Sequence, residues 1–122
     1  MALDLSVEKV SKTFGDFTAV KDVSFSVPEG EIFVVMGLSG SGKSTLVNLL
    51  PRLYEITEGR ITIDGEDIRE YRLADLRRQI AYVGQDIRLF NDSIRNNIAY
   101  GALGEASEQQ IIEAARQAYA WE

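Results

Sequence analysis

The sequence predicts an α/β domain on three observations: alternating apolar and polar residues over 3–27, an uninterrupted β-rich run at 31–36 that enters a glycine-rich segment, and helical spacing over 107–120. With 122 residues and 45% hydrophobic content, the chain is long enough for one compact domain with an apolar core and short for two. One domain over residues 1–122 is therefore expected.

The stretches LDLSVEKVSKTF and AVKDVSFSV, running from Leu3 to Val27, break at Phe14-Gly15-Asp16-Phe17 and predict two antiparallel strands joined by a turn. Pro28-Glu29-Gly30 punctuates the second strand, and EIFVVM at 31–36 reads as a central strand buried on both faces. From Lys43 to Leu53 a helix is expected, with Leu46, Val47, Leu49 and Leu50 on its apolar side and Pro51 near its end. GRITID at 59–64 reads as a short strand ending in an Asp64-Gly65 turn; a short helix over Leu73 to Gln79, a strand at 80–83 and a loop at 84–92 follow. Ser93 to Ala99 fits one or two helical turns. Ser107 and Gln110 fit a capping box that opens a helix to Ala120, with Ile111, Ala114, Ala115, Ala118 and Tyr119 at helical spacing.

A formal charge of -6 opposes general attraction to nucleic acid or an anionic membrane, so no nucleic-acid partner is expected. Cysteine and histidine are both absent, which leaves any metal to oxygen ligands. The longest apolar stretch, 32–36, is far below the roughly 20 residues of a membrane-spanning helix, and MALDLSVEKV lacks a basic-then-apolar signal pattern. On these grounds the chain reads as cytoplasmic.

The chemistry concentrates in GLSGSGKST, residues 37–45, which fits the Walker A pattern of a P-loop. Glycines let the backbone curl so that successive N–H groups point at phosphate oxygens, and the following helix directs its positive end there. The candidate cradle is Ser39, Gly40, Ser41, Gly42, Lys43, Ser44 and Thr45, with Gly37 opening the curl. Lys43 is expected to reach the β- and γ-phosphates of ATP or ADP, the Ser44 hydroxyl to ligate Mg²⁺, and Thr45 to face the α-phosphate. The plain alternative is a Gly/Ser loop that only caps a helix. The carboxylates Asp64, Glu66 and Asp67 are assigned to turn structure.

Together with YVGQD at 82–86 and LFNDSIRNNIAYG at 89–101, the loop resembles the nucleotide-binding domain of ABC transporters, over essentially the whole chain. The resemblance implies a P-loop NTPase-like partial domain of two or three layers, containing an antiparallel β-hairpin and a P-loop strand-helix unit. It also implies that Phe14 stacks on adenine and that Gln85 approaches Mg²⁺ and the γ-phosphate; their plain alternatives are a turn-flanking aromatic packed on the core and a solvated amide. Residues 87–98, with Arg88, Asn91, Asp92 and Arg95, match either the surface that meets a transporter's coupling helices or a solvated loop.

Residues 1–122 contain no LSGGQ-like signature, no Walker B strand ending in Asp-Glu and no switch histidine. Weak or no hydrolysis is expected for that reason. In the family these motifs belong to a second half of the domain whose strands flank the P-loop strand, so the sheet is expected to be rearranged, or completed by a homodimer or a complementary fragment. A membrane-domain partner, with a place beside the inner membrane, is implied if the chain belongs to a transporter. Residues 3–45 resemble a quaternary-amine importer ATPase and residues 46–122 a lipid exporter, which implies a recombined or engineered chimera. Three functions stand open: a nucleotide-binding module, an active ATPase energising transport, and a structural fragment with a vestigial phosphate site.

Overall fold

The computed structural model describes residues 4–86 and 88–120. Leu3 and Ile87, where two of the expected segments begin, lie outside them. The chain forms two compact units that meet between Tyr82 and Val83.

In the first unit, β1 (Leu5–Phe14) and β2 (Phe17–Val27) form the predicted antiparallel hairpin, with Phe14 opposite Phe17 and Gly15-Asp16 as the turn. On its other edge β1 pairs with β3 (Glu58–Ile63), which turns through Asp64-Gly65 into the short β4 (Glu66–Asp67). The sheet order is β2-β1-β3-β4, and every pairing is antiparallel. Asp64 serves that turn, since its backbone N–H donates to Asp4 O at 2.8 Å and its carboxylate accepts from Asp4 N at 2.8 Å. Asp67 forms an ion pair with Arg69 at 2.6 Å. The turn reading of this acidic cluster therefore holds.

A β-bulge sets the core spacing. Val7 pairs with Phe25 and Ile61 and Val10 with Val23, while Lys9 between them takes φ 46. The extra residue brings Val7 and Val10 into the same buried cluster although they are not an even number of positions apart. Strand β3 crosses the bulge at Gly59, where φ is +83 and an added Cβ would lie 2.3 Å from Lys9 O. Only glycine fits that approach.

Two helices cover the sheet's apolar side. From α1 (Lys43–Leu49) comes Leu49, and from α2 (Leu73–Arg78) comes Leu76; both join Val7, Val10, Ile61, Ile63 and Ile68 in the core. Helix α1 is shorter than the expected Lys43 to Leu53, because the chain turns at Pro51 and Arg52, where Arg52 takes φ 52. The carbonyls released there are not orphaned: Arg77 donates to Pro51 O at 2.9 Å and to Arg52 O at 3.2 Å.

The α/β class and the antiparallel hairpin agree with expectation, but two apolar runs do not form the predicted strands. Residues 31–36 and 80–83 have no strand pairing. A central strand needs a hydrogen-bonded neighbour on each side, and among the described residues none runs beside either segment; β1 already spends both edges on β2 and β3. The run at 31–36 is instead exposed, Ile32 at 93% and Met36 at 87%, and Phe33 is tethered by stacking on Phe25, ring centroids 4.5 Å apart.

The second unit contains α3 (Ile94–Ile98), a 3-10 turn (Gly101–Leu103) and α4 (Glu108–Gln117). The predicted capping box is present, and Ser93 adds a cap that the sequence analysis did not assign. Ser93 Oγ accepts from Asn96 N at 3.1 Å, and Ser107 with Gln110 makes the full capping box. Ile111 and Ala115 are buried as their spacing predicts, but Ala114 and Ala118 are exposed, and Tyr119 is 97% exposed at φ 55. It lies beyond the helix end and is not part of the apolar face.

Candidate phosphate-binding site

The glycine-rich segment reaches α1 through Gly42, whose φ of 89 and ψ of 6 place it in the left-handed region at the helix N-cap. Glycine is required there twice over: a side chain disfavours that conformation, and an added Cβ would lie 2.4 Å from Ala19 O on β2. The hairpin thus presses directly on the loop and fixes where α1 begins.

Leu46 N donates the first helical bond, to Gly42 O at 2.9 Å, and no side chain caps the helix start. The amides of Lys43, Ser44 and Thr45 precede that bond and have no intrahelical acceptor. Ser41 N donates to Leu38 O at 3.1 Å, closing the loop on itself, and the Lys43 ammonium donates to Gly37 O, which holds the cation over the curl. A run of uncapped amides beside a fixed cation is the donor set a phosphate group requires, and the loop fits one. Ser39, Gly40, Ser41 and Ser44 are exposed, while Gly42, Lys43 and Thr45 are partly covered.

Phe14 stands at the hairpin tip. It is 39% exposed and outside the core cluster, which sets aside the expectation of a core-packed aromatic. Its ring meets Tyr54 edge to face at 5.1 Å and 87°, and Lys12 Nζ lies over it 4.9 Å from the centroid. From the Phe17 position opposite Phe14 to Ala19, which touches Gly42, is two steps of β2, about 7 Å. Tyr54 carries no sequence signal, because a lone aromatic after a helix end belongs to no periodic pattern.

Gln85 lies in an exposed bend of the second unit. In that unit Asp92 accepts from Ser93 N at 2.6 Å and from Asn96 Nδ2 at 2.8 Å, and these bonds hold its carboxyl below the usual aspartate range. Arg95 donates to Ala106 O at 3.1 Å, and Asn97 bonds Phe90, Asp92 and Ser93. Asp92 and Arg95 therefore have local structural work, and Asn97, which the sequence reading passed over, organises the loop.

Among the described residues, no group of three or more acidic or histidine side chains gathers as a metal cage. A broad surface groove of about 500 Å³ lies at the bulge, lined by Glu8, Lys9, Ser24, Gly59, Arg60 and Arg69. Its two guanidiniums already bind carboxylates, Arg60 to Glu8 at 2.8 Å and Arg69 to Asp67.

The family profile described as "ABC transporter" matches residues 20–121, and the chain belongs to that family. It is 53% identical over 104 residues to an ATP-dependent lipid A-core flippase of Vibrio cholerae, covering 85% of this chain and 18% of the flippase. The Salmonella typhimurium flippase is 47% identical over 119 residues, covering 96% of this chain and 20% of its own. Among solved structures, a bacterial Atm1-family ABC exporter with ATP bound aligns at TM-score 0.88 and 39% identity, covering 98% of this chain and 21% of the exporter. The chain thus spans about a fifth of the length of these relatives. A flippase that matches 96% of the chain gives no support to an importer-like origin for residues 3–45 or to a chimera.

Proposed function

We propose that residues 1–122 are part of one nucleotide-binding domain of an exporter, and that they bind ATP or ADP with Mg²⁺ through the loop at 37–45, with little or no turnover in isolation. The observation that carries this reading is the row of uncapped amides at Lys43, Ser44 and Thr45 beside the Lys43 ammonium. The curl from Ser39 to Gly42 orients the amides, Lys43 places its charge on the outer phosphates, and the Ser44 hydroxyl holds the metal. Mg²⁺, when bound, neutralises charge on the β- and γ-phosphate oxygens. Phe14, at the tip of the hairpin that abuts the loop, stacks on the base, and Gln85 is a second candidate contact to the metal and γ-phosphate. The similarity to exporters supports a membrane-domain partner and a place beside the inner membrane.

Calorimetric titration with Mg-ATP tests the site. Replacing a charged group that binds phosphate costs about 1.5–3 kcal/mol, so Lys43→Ala should weaken binding about 10- to 150-fold with an unchanged circular dichroism spectrum. Unaltered affinity in the variant refutes the site.

A second reading is an active ATPase, favoured by the "ATP-dependent" relatives. Phosphate release above background that vanishes in Lys43→Ala would establish it. The unpaired run at 31–36 supports completion of the sheet by a second copy or a complementary fragment. Sedimentation equilibrium of the purified chain distinguishes a dimer from a monomer.

A further inference from the structure

We infer that Tyr54 is a positioning residue for the base of the bound nucleotide: it holds the Phe14 ring in place and ties it to the helix that follows the phosphate loop. This rests on the nucleotide-binding reading above and adds a residue to it.

The segment after α1 is laced to the end of β1 by a series of contacts. Lys12 Nζ donates to Glu55 O at 2.6 Å, Thr13 N to Thr57 Oγ1 at 3.0 Å, and Thr57 N to Ser11 O at 2.9 Å. The Tyr54 ring meets Phe14 at 5.1 Å and 87°, the edge-to-face geometry that aromatic pairs prefer. Neither ring is in the core: both stand partly exposed, and both are absent from the buried cluster and its partly buried neighbours. Their contact accordingly contributes more to orientation than to burial.

The start of the segment is fixed as well. Arg52 pairs with Glu55 at 2.8 Å and donates to Tyr71 O at 3.4 Å, while Arg77 holds the carbonyls of Pro51 and Arg52. Helix α1 therefore carries the phosphate loop at its start and, through a pinned turn, Tyr54 just past its end. A base stacked on an exposed aromatic gains more when the ring is already oriented, because ordering a free ring on binding costs entropy. The Tyr54 contact supplies that order, and it sets the distance from base to phosphate through a single helix.

The test compares titrations of Mg-ATP and Mg-bound inorganic triphosphate against the whole chain and against Tyr54→Ala and Tyr54→Phe. In Tyr54→Ala, ATP affinity should fall about 2- to 10-fold while triphosphate affinity stays unchanged, and Tyr54→Phe should restore the ATP value. An equal loss for both ligands would assign Tyr54 a general structural role and overturn the inference. So would no loss for either, as long as the parent chain binds both. Should the parent bind neither, the phosphate site itself fails, and this inference falls with it.

Discussion

Replacing Gly42 and Gly40 separately by alanine isolates the contact between the hairpin and the phosphate loop. Both glycines have left-handed backbones, φ +89 and +81, so each substitution carries the side-chain penalty of that region, about 1–2 kcal/mol. The surroundings differ. An added Cβ at Gly40 meets nothing within 4 Å, whereas at Gly42 it would sit 2.4 Å from Ala19 O and 3.4 Å from Val20 Cγ2. Ala19 is backbone within a paired strand, and Val20 is held opposite Lys12, so β2 resists moving aside. Forcing extra volume into a packed contact adds about 1–3 kcal/mol, which brings Gly42→Ala to about 2–5 kcal/mol in total. Urea unfolding followed by far-UV circular dichroism reads the difference: with a slope of about 1–3 kcal/mol/M, Gly42→Ala should unfold at a clearly lower midpoint than Gly40→Ala. Equal midpoints would mean that the loop does not lie against β2.

Leu49→Ala should cost about 2–5 kcal/mol in the same assay, because Leu49 is fully buried and α1 reaches the core cluster through it. The pH dependence follows from Asp67, whose carboxyl is held below the ordinary range by the Arg69 hydrogen bond, against a smaller opposing effect of burial. A lowered folded-state pKa stabilises above the unfolded value, near 4, and that stabilisation is lost as pH falls through the folded value. Asp67→Asn should therefore flatten the fall in stability below about pH 4, and an unchanged acid limb would show the pair to be inert.

Much of the fold was legible because it is local. The β1–β2 hairpin, the Asp64-Gly65 turn and the Ser107–Gln110 capping box are each specified within a few residues, and each is present. What failed depends on distant partners. Residues 31–36 have the composition of a buried strand, but composition does not supply the neighbours on which a strand depends. The early end of α1 has its local signal in Pro51, but the Arg77 bond that satisfies the Pro51 carbonyl comes from 26 positions further on, and no local pattern announces that. For the candidate site, the motif announced Lys43 and the amides after it. The Ala19 contact at Gly42 and the Tyr54 contact at Phe14 needed the fold.

The pairing of β1 with β3 also has a kinetic consequence. Asp4 and Asp64, bonded to each other at the end of this ladder, are 60 residues apart in sequence, and everything between them, phosphate loop included, lies within the ring they close. The hairpin is able to form quickly from its own turn, whereas the ring must pay its closure entropy before Leu49 finds its pocket. A nick within the exposed run at 31–36 would leave every strand pairing possible while placing β1 and β3 on separate fragments, so refolding would become dependent on concentration.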